Sequence, residues 1–413
     1  MTTVEVLVDG AHGPRPVGQA HVTRSAGRLS TTFLYDPAYL SGDGTPIDPA
    51  LPLVSGAQHQ TGLVRAFADS APDRWGRNLV MKAERARARD EGRAPRTLDD
   101  LDFLLGVSDD TRQGALRFRL PGHQEFLGKP ATVPRLISLP TLLRAADELS
   151  SDDDPASAVK QLLDTGTTGL GGARPKASVR LDDGSLAIAK FPHDSDQWDV
   201  MAWEATALDL LESAGVRTPP RRLTRVGGRS VLLLRRFDRT GSGDRVGYIS
   251  AMTATGSLDG EQRDYADIAA AMRDLSFALR ADHHELFDRV AVSVALGNTD
   301  DHLRNHGFLA DHGSWTLSPA FDVNPTPDPF RRRSTSIMGA DAPPDEAEGL
   351  LALAGECSLS AARARDRLGR VADALSGWRD AARRNHVADR EVALMAESIE
   401  PRLASVARAA RGG

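Results

Sequence analysis

The stretch LGNTDDHLRNHGFL, residues 296–309, gathers two Asp, two His and two Asn between apolar residues. Donors at that density suit three readings. Asp300 and Asn305 stand in D-x4-N spacing, in which a phosphoryl-transfer loop uses the Asp to accept a hydroxyl proton and the Asn to hold magnesium. His302 and His306 stand four apart, a spacing that on a helix would turn both rings to one side and grip zinc. HLRNH lacks the glutamate of the HExxH pattern, and Asn-Thr-Asp-Asp just before it favours a loop, which weighs against zinc. The third reading is a polar loop with no chemistry.

Residues elsewhere separate these readings. The cluster GTTGLGGARPK, residues 166–176, precedes a strand, and glycines there let backbone N–H groups come close to an anion. It matches neither GxxxxGK[ST] nor GxGxxG. Lys190 in SLAIAKFP has strand-like neighbours, so its ammonium can reach α/β-phosphates under such a loop, with Glu204 on the next helix to orient it. Only five of the 51 basic residues are lysine, a weak sign that a compact ammonium is wanted where one remains. Asp322, in SPAFDVNPTP, follows a short apolar segment and suits a second magnesium ligand. Singly, each has a plainer explanation: an exposed strand Lys, a solvated helix Glu, an Asp at a turn. In order, Gly loop, Lys190, Glu204, Asp300, Asn305 and Asp322 form the parts list of a kinase.

The elements that must position these residues predict an α+β protein. Residues 1–125 read as a mixed α/β subdomain: VEVLVDG and RLSTTFLYD have strand character, and a helix follows Pro72. Residues 126–160, rich in Pro, Ser and Asp, read as a connecting segment with a helix around Leu142–Leu149. Residues 161–255 read as a small sheet with one helix. ASVRLDDGSLAIAKFP is a hairpin turned at Asp-Gly, and WDVMAWEATALDLLESAGV is a helix closed by Gly215, with Pro219 after it. Residues 256–413 read as mainly helical. A β-rich lobe thus precedes an α-rich one.

Composition narrows the class. A chain of 413 residues is expected to hold two or three packed units. The net charge of −6 gives no basis for broad nucleic-acid binding, and a single cysteine, Cys357, excludes an internal disulfide and a Cys-rich zinc site. The N-terminal residues lack the pattern of a secretory signal, and no apolar run is long enough to span a bilayer. A cytoplasmic protein is the expectation.

GNTDDHLRNHGFL, SPAFDV, LGGARPKA, IAKFP and LLRRFDR, with FLYDPAYL and DSAPDRWGR nearer the start, resemble the motifs of the HipA family of toxin serine/threonine kinases. The resemblance covers nearly the whole chain. It implies a bilobal protein-kinase-like fold, a β-rich N-lobe and helical C-lobe with an added N-terminal α/β subdomain. It also implies use of ATP and Mg2+ to phosphorylate a protein serine, the best known substrate class being the glutamate aminoacyl-tRNA synthetase. The implied partner is a helix-turn-helix antitoxin of HipB type, through which DNA is met only indirectly.

Residue by residue, the resemblance makes Asp300 the catalytic base, Asn305 and Asp322 the magnesium ligands and Lys190 the phosphate-binding lysine. Gly171, Gly172, Ala173 and Lys176 fall in the phosphate loop. Leu234, Arg235, Arg236 and Phe237 form the hinge beside adenine, with Phe237 packing on the base; some members carry Glu where Arg235 stands. Well-known members autophosphorylate a serine in the phosphate loop. Gly169 occupies that position here, so Thr167 and Thr168 are the candidate acceptors. The competing function is a catalytically silent kinase fold kept as co-repressor of an antitoxin. Among the other residues, His283 and His284 are expected to cap or flank a helix. The run RRRSTS, residues 331–336, is expected to be a solvated basic loop or a site for an acidic partner, and Trp75 to be core packing of the N-terminal part.

Overall fold

The computed structural model describes residues 1–10, 13–128, 131–150, 156–165 and 174–412. The chain divides into two compact units, Met1–Ser195 with Thr224–Ile249, and Asp196–Leu223 with Ser250–Gly413. The fold is mixed α/β. Among the described residues no helix is long and apolar enough to cross a membrane.

The first unit carries one whole sheet and most of a second. Strands β1 (Thr2–Gly10), β2 (Gly13–Ser25), β3 (Arg28–Tyr35), β4 (Gln58–Thr61) and β5 (Leu116–Arg119) lie in the order β4-β3-β2-β1-β5. Alternation in the sequence puts Val4, Val6, Ala20, Val22 and Phe33 inside. There Phe67 meets Phe33 and Phe118 edge to face, with centroids 6.2 and 5.1 Å apart.

The second sheet is formed by β6 (Lys176–Arg180), β7 (Leu186–Lys190), β8 (Arg221–Val226) and β9 (Arg229–Arg235), in the order β6-β7-β9-β8. β6 and β7 form the hairpin expected at Asp-Gly, with Gly184 at φ 82° and Leu181 N–H bonded to the Ser185 carbonyl at 2.9 Å. One face of this sheet buries Ala177, Ala187, Ala189 and Leu233 against helices Leu139–Ser150 and Ala156–Asp164. Trp75 and Leu79, from helix Arg74–Asp90, complete that core. Trp75 is therefore buried as expected, but in a core it shares with the second sheet. Residues 1–125 and the sheet after 161 belong to one unit.

The second unit is mainly helical. Helix Val200–Ser213 starts at Asp199, whose side chain accepts the Ala202 N–H at 3.0 Å, and the chain turns at Gly215 with φ 83°. Helices Leu279–Ala295, Glu346–Glu356, Ala361–Leu375 and Asp389–Arg411 bury Phe287, Val290, Leu353, Leu368 and Ile399 between them. His283 and His284 do not cap a helix; they lie inside Leu279–Ala295. His283 is buried, its Nε2 bonded to the Ala269 carbonyl at 2.8 Å and its Nδ1 to Ser358 Oγ at 3.0 Å.

Candidate active site

In the second unit, helix Leu279–Ala295 ends where Gly297 takes φ 67°. A Cβ at that residue would come within 2.8 Å of Ser398 Oγ, so both the turn and the close approach call for glycine. The chain then runs extended through the loop to a single 3-10 turn at Leu303–Asn305 and enters strand Gly307–Asp311. That turn explains the D-x4-N spacing. Asn305 N–H bonds the His302 carbonyl at 2.8 Å, and Asn305 Nδ2 returns to donate to the Asp300 carbonyl at 3.2 Å. Asn305 is buried and Asp300 exposed. The amide nitrogen being engaged, the Asn305 side-chain oxygen remains as a hard ligand.

The helical zinc pair does not form. His302 and His306 both have extended backbone on either side of the turn, so they share no helix face. His302 is exposed, whereas His306 is buried with Nε2 donating to Asp301 Oδ1 at 2.9 Å. Among the described residues no three His, Cys, Asp or Glu side chains gather as a ligand set.

Asp301 is the hub of the buried chemistry beneath the loop. Tyr265 OH donates to its Oδ2 at 2.5 Å and Ser293 Oγ at 3.2 Å. Burial by itself would raise the Asp301 carboxyl; the His306 imidazole, the Tyr265 hydroxyl and Arg333 more than offset this and hold it below the usual carboxylate range. Burial, and then the Asp301 charge, push the Tyr265 hydroxyl well above its ordinary value. Arg333 has no exposed side-chain surface. Its guanidinium donates to Ser293 Oγ at 2.6 Å, the Asn298 carbonyl at 3.0 Å and Glu346 Oε1 at 3.1 Å, while Arg402 pairs with the other oxygen of Glu346. The run RRRSTS is thus not a solvated loop throughout. Arg333 is its anchor, and the burial of an Arg within a basic run has no signature in sequence.

Asp322 lies in the left-handed region at φ 59°, a conformation uncommon outside glycine and held here by its surroundings. Asn324 Nδ2 donates to Asp322 Oδ1 at 3.3 Å, and Asn324 N–H bonds Asn298 Oδ1 at 3.2 Å. Asn298 therefore staples the Asp322 loop to the Asp300 loop, a role the sequence analysis missed although it is the first Asn of the motif. Asn324 Oδ1 is buried without a hydrogen-bond partner among the described residues. Asp322, Asn305 and Asn324 offer oxygen donors, the donor type magnesium prefers. A cavity of about 460 Å³ in this unit is lined by Leu258, Asp259, Arg263, His302, Arg304 and Ser334.

In the first unit, Lys190 ends β7, is buried, and is the register partner of Lys176 on β6. Directly opposed like charges on one sheet face are unfavourable unless anions join them. Asp73 supplies one anion: its Oδ2 accepts from Lys176 Nζ at 2.8 Å, while its Oδ1 caps helix Arg74–Asp90 by accepting the Gly76 N–H at 2.7 Å. Lys176 is a strand residue tied to Asp73, which corrects its expected place in the phosphate loop. Gly171, Gly172, Ala173, Thr167 and Thr168 lie outside the described residues.

The hinge stretch divides into two kinds of residue. Arg235 is partly exposed at the end of β9 and pairs with Asp183 at 3.3 Å, and Phe237 is half-buried with its ring 6.3 Å from that of Tyr248. Arg236 and Asp238 are buried clamps. Arg236 donates to Asp238 Oδ1 at 2.8 Å and to the Thr111 carbonyl at 2.6 Å, and Asp238 Oδ2 accepts the Gly114 N–H at 2.8 Å. Burial would raise the Asp238 carboxyl, but Arg236 and Arg239 hold it below the usual range. Glu204 belongs to the second unit, buried on helix Val200–Ser213.

The family profile described as HipA-like C-terminal domain matches residues 168–378, and that described as HipA N-terminal domain matches residues 11–119. The chain belongs to the HipA family. The fold agrees with a solved structure of the HipA, HipB and operator DNA complex of the Shewanella oneidensis MR-1 toxin–antitoxin system. The TM-score is 0.65 at 16% identity, covering 98% of this chain and 97% of that one. A looser likeness, TM-score 0.40 at 15% identity, is to the Helicobacter pylori proinflammatory kinase CtkA, over 59% of this chain and 94% of that one. No curated protein matches the sequence. In this HipA-family chain the matched C-terminal region contains Lys190, Glu204, Asp300, Asn305 and Asp322.

Proposed function

We propose that this HipA-family protein is a toxin-type serine/threonine protein kinase that uses ATP and Mg2+ to phosphorylate a host protein, an aminoacyl-tRNA synthetase being the class implied. Its lobes would be residues 161–255 and 256–413, with 1–125 as the added subdomain and 126–160 as the connection. One observation carries the reading: the turn that returns Asn305 to Asp300 while Asn298 and Asn324 hold Asp322 in left-handed backbone.

Asp300, exposed beside a cavity-lining segment, accepts the proton of the incoming hydroxyl. Asn305 and Asp322 would hold Mg2+, whose charge offsets that of the phosphates when bound. Lys190, buried at the end of β7, is assigned to the α/β-phosphates with Glu204 to orient it. Arg235 and Phe237 are assigned to the adenine, Gly171, Gly172 and Ala173 to the phosphate loop, and Thr167 and Thr168 to self-phosphorylation. A helix-turn-helix antitoxin is the proposed partner, supported by a relative solved together with HipB and operator DNA. The test is transfer of γ-phosphate from Mg-ATP to host proteins, which Asp322→Asn should abolish with folding retained. Transfer at the wild-type rate by that variant would refute the assignment, and no transfer by wild type would favour a silent co-repressor.

A further inference from the structure

Three hydroxyls follow Arg333 in RRRSTS, and the structure treats them differently. Thr335 is buried, and its Oγ1 donates to the Asp301 carbonyl at 2.6 Å. Ser336 donates to Asp264 Oδ2 at 2.6 Å. Ser334 alone of the three is exposed, and its hydroxyl faces Asp300 Oδ1 at 3.5 Å. Its backbone N–H is held on the Thr299 carbonyl at 2.8 Å, which keeps the residue beside the loop that carries Asp300. Pairs of nucleophile and base are often this long before the other reactant draws them together. Ser334 also lines the cavity of about 460 Å³, which leaves room on that side.

We propose that Ser334 is an intramolecular phosphoacceptor: the chain phosphorylates its own Ser334 with Asp300 as base. This rests on the kinase reading above, and it concerns a residue distinct from Thr167 and Thr168. In the step, Asp300 takes the hydroxyl proton and Ser334 Oγ bonds the γ-phosphorus of a nucleoside triphosphate. The bond from that phosphorus to the β–γ bridging oxygen breaks, and the nucleoside diphosphate leaves with the electron pair. The phosphoserine, with a charge of about −1.5 to −2, then repels the Asp300 carboxylate. Left beside Asp300, it fills the place that another acceptor hydroxyl would take. The modification thereby withdraws the base from other acceptors, and the kinase limits itself.

The test incubates the purified full chain with Mg-ATP over a range of protein concentrations, with dephosphorylated casein as outside acceptor, and maps phosphosites by fragmentation mass spectrometry. Phosphate is expected on Ser334, not on Thr335 or Ser336, at a rate independent of chain concentration, with casein labelling slowing as Ser334 fills. Ser334→Ala should sustain casein labelling beyond the time at which wild type stops. In a mixture with wild type, the Asp300→Asn chain should stay bare at Ser334; phosphate there would overturn the intramolecular route. Phosphate on casein or elsewhere in the chain, with Ser334 bare, would overturn the proposal and leave the kinase reading standing. No transfer to any acceptor would overturn the kinase reading itself.

Discussion

Both units bury arginines beside carboxylates, but they spend those arginines differently. In the first unit, Arg112 is fully buried and donates to the Ser70, Leu104 and Val107 carbonyls at 3.2, 3.1 and 3.1 Å. Arg236 and Arg239 reach the Thr111 and Arg112 carbonyls, and Arg245 the Asp109 carbonyl. These bonds fasten residues 236–245 to residues 109–117, two segments distant in sequence. In the second unit, Arg333 and Asp301 engage hydroxyls, an imidazole and the loop that carries Asp300 and Asn305. Similar buried chemistry is a fastening in one place and a support for the candidate catalytic loop in the other. Breaking the first should cost stability alone; breaking the second should cost activity as well.

The sharpest test of that contrast is Arg333→Met. It strands Glu346 with Arg402 and releases the Asn298 carbonyl, so a loss of about 3–5 kcal/mol is expected, as for other broken buried pairs. Denaturant unfolding reads the stability, and phosphotransfer per folded molecule should fall as well. Arg112→Met leaves three carbonyls without their donor and should lower stability by a few kcal/mol, at roughly 1 kcal/mol for each hydrogen bond lost. Its transfer per folded molecule should stay near wild type. Equal activity losses in the two variants would erase the distinction.

Acid titration gives a smaller effect. The Asp301 carboxyl titrates below its unfolded value of about 3.9, so its contribution to stability is fully present above that pH and is lost as pH falls toward the folded value. Asp301→Asn should therefore flatten the acid limb of stability below about pH 4. An unchanged acid limb would show that the carboxylate is not held as described. Least in size is the effect at Cys357, which is buried with its thiol pushed up to about 12 by burial. Because the thiolate is the reactive form, maleimide should label it only on unfolding, so labelling at neutral pH reports opening of the second unit.

Much of the arrangement was legible in the sequence, and the rest was hidden for identifiable reasons. The D-x4-N spacing is local, one 3-10 turn closing on itself, and so it could be read directly. The same holds for the hairpin that ends at Lys190, set by an Asp-Gly turn. Lys176 was misplaced because its partner Asp73 lies 103 positions away. Arg333 was misjudged because its anchors, Ser293, Asn298 and Glu346, come from separate helices and loops that converge only in the fold. His283 and His284 looked like flanking residues because a buried helical His has no pattern of its own. Local chemistry could be read from spacing; long-range pairing could not.

The central claim, that this chain transfers phosphate through Asp300, is met most directly by comparing wild type with Asp300→Asn in transfer of γ-phosphate from Mg-ATP, with the unfolding midpoint of each measured alongside. Loss of a general base predicts a fall of about 10²–10⁴-fold in rate with the midpoint unchanged. Equal rates in the two proteins would contradict the account.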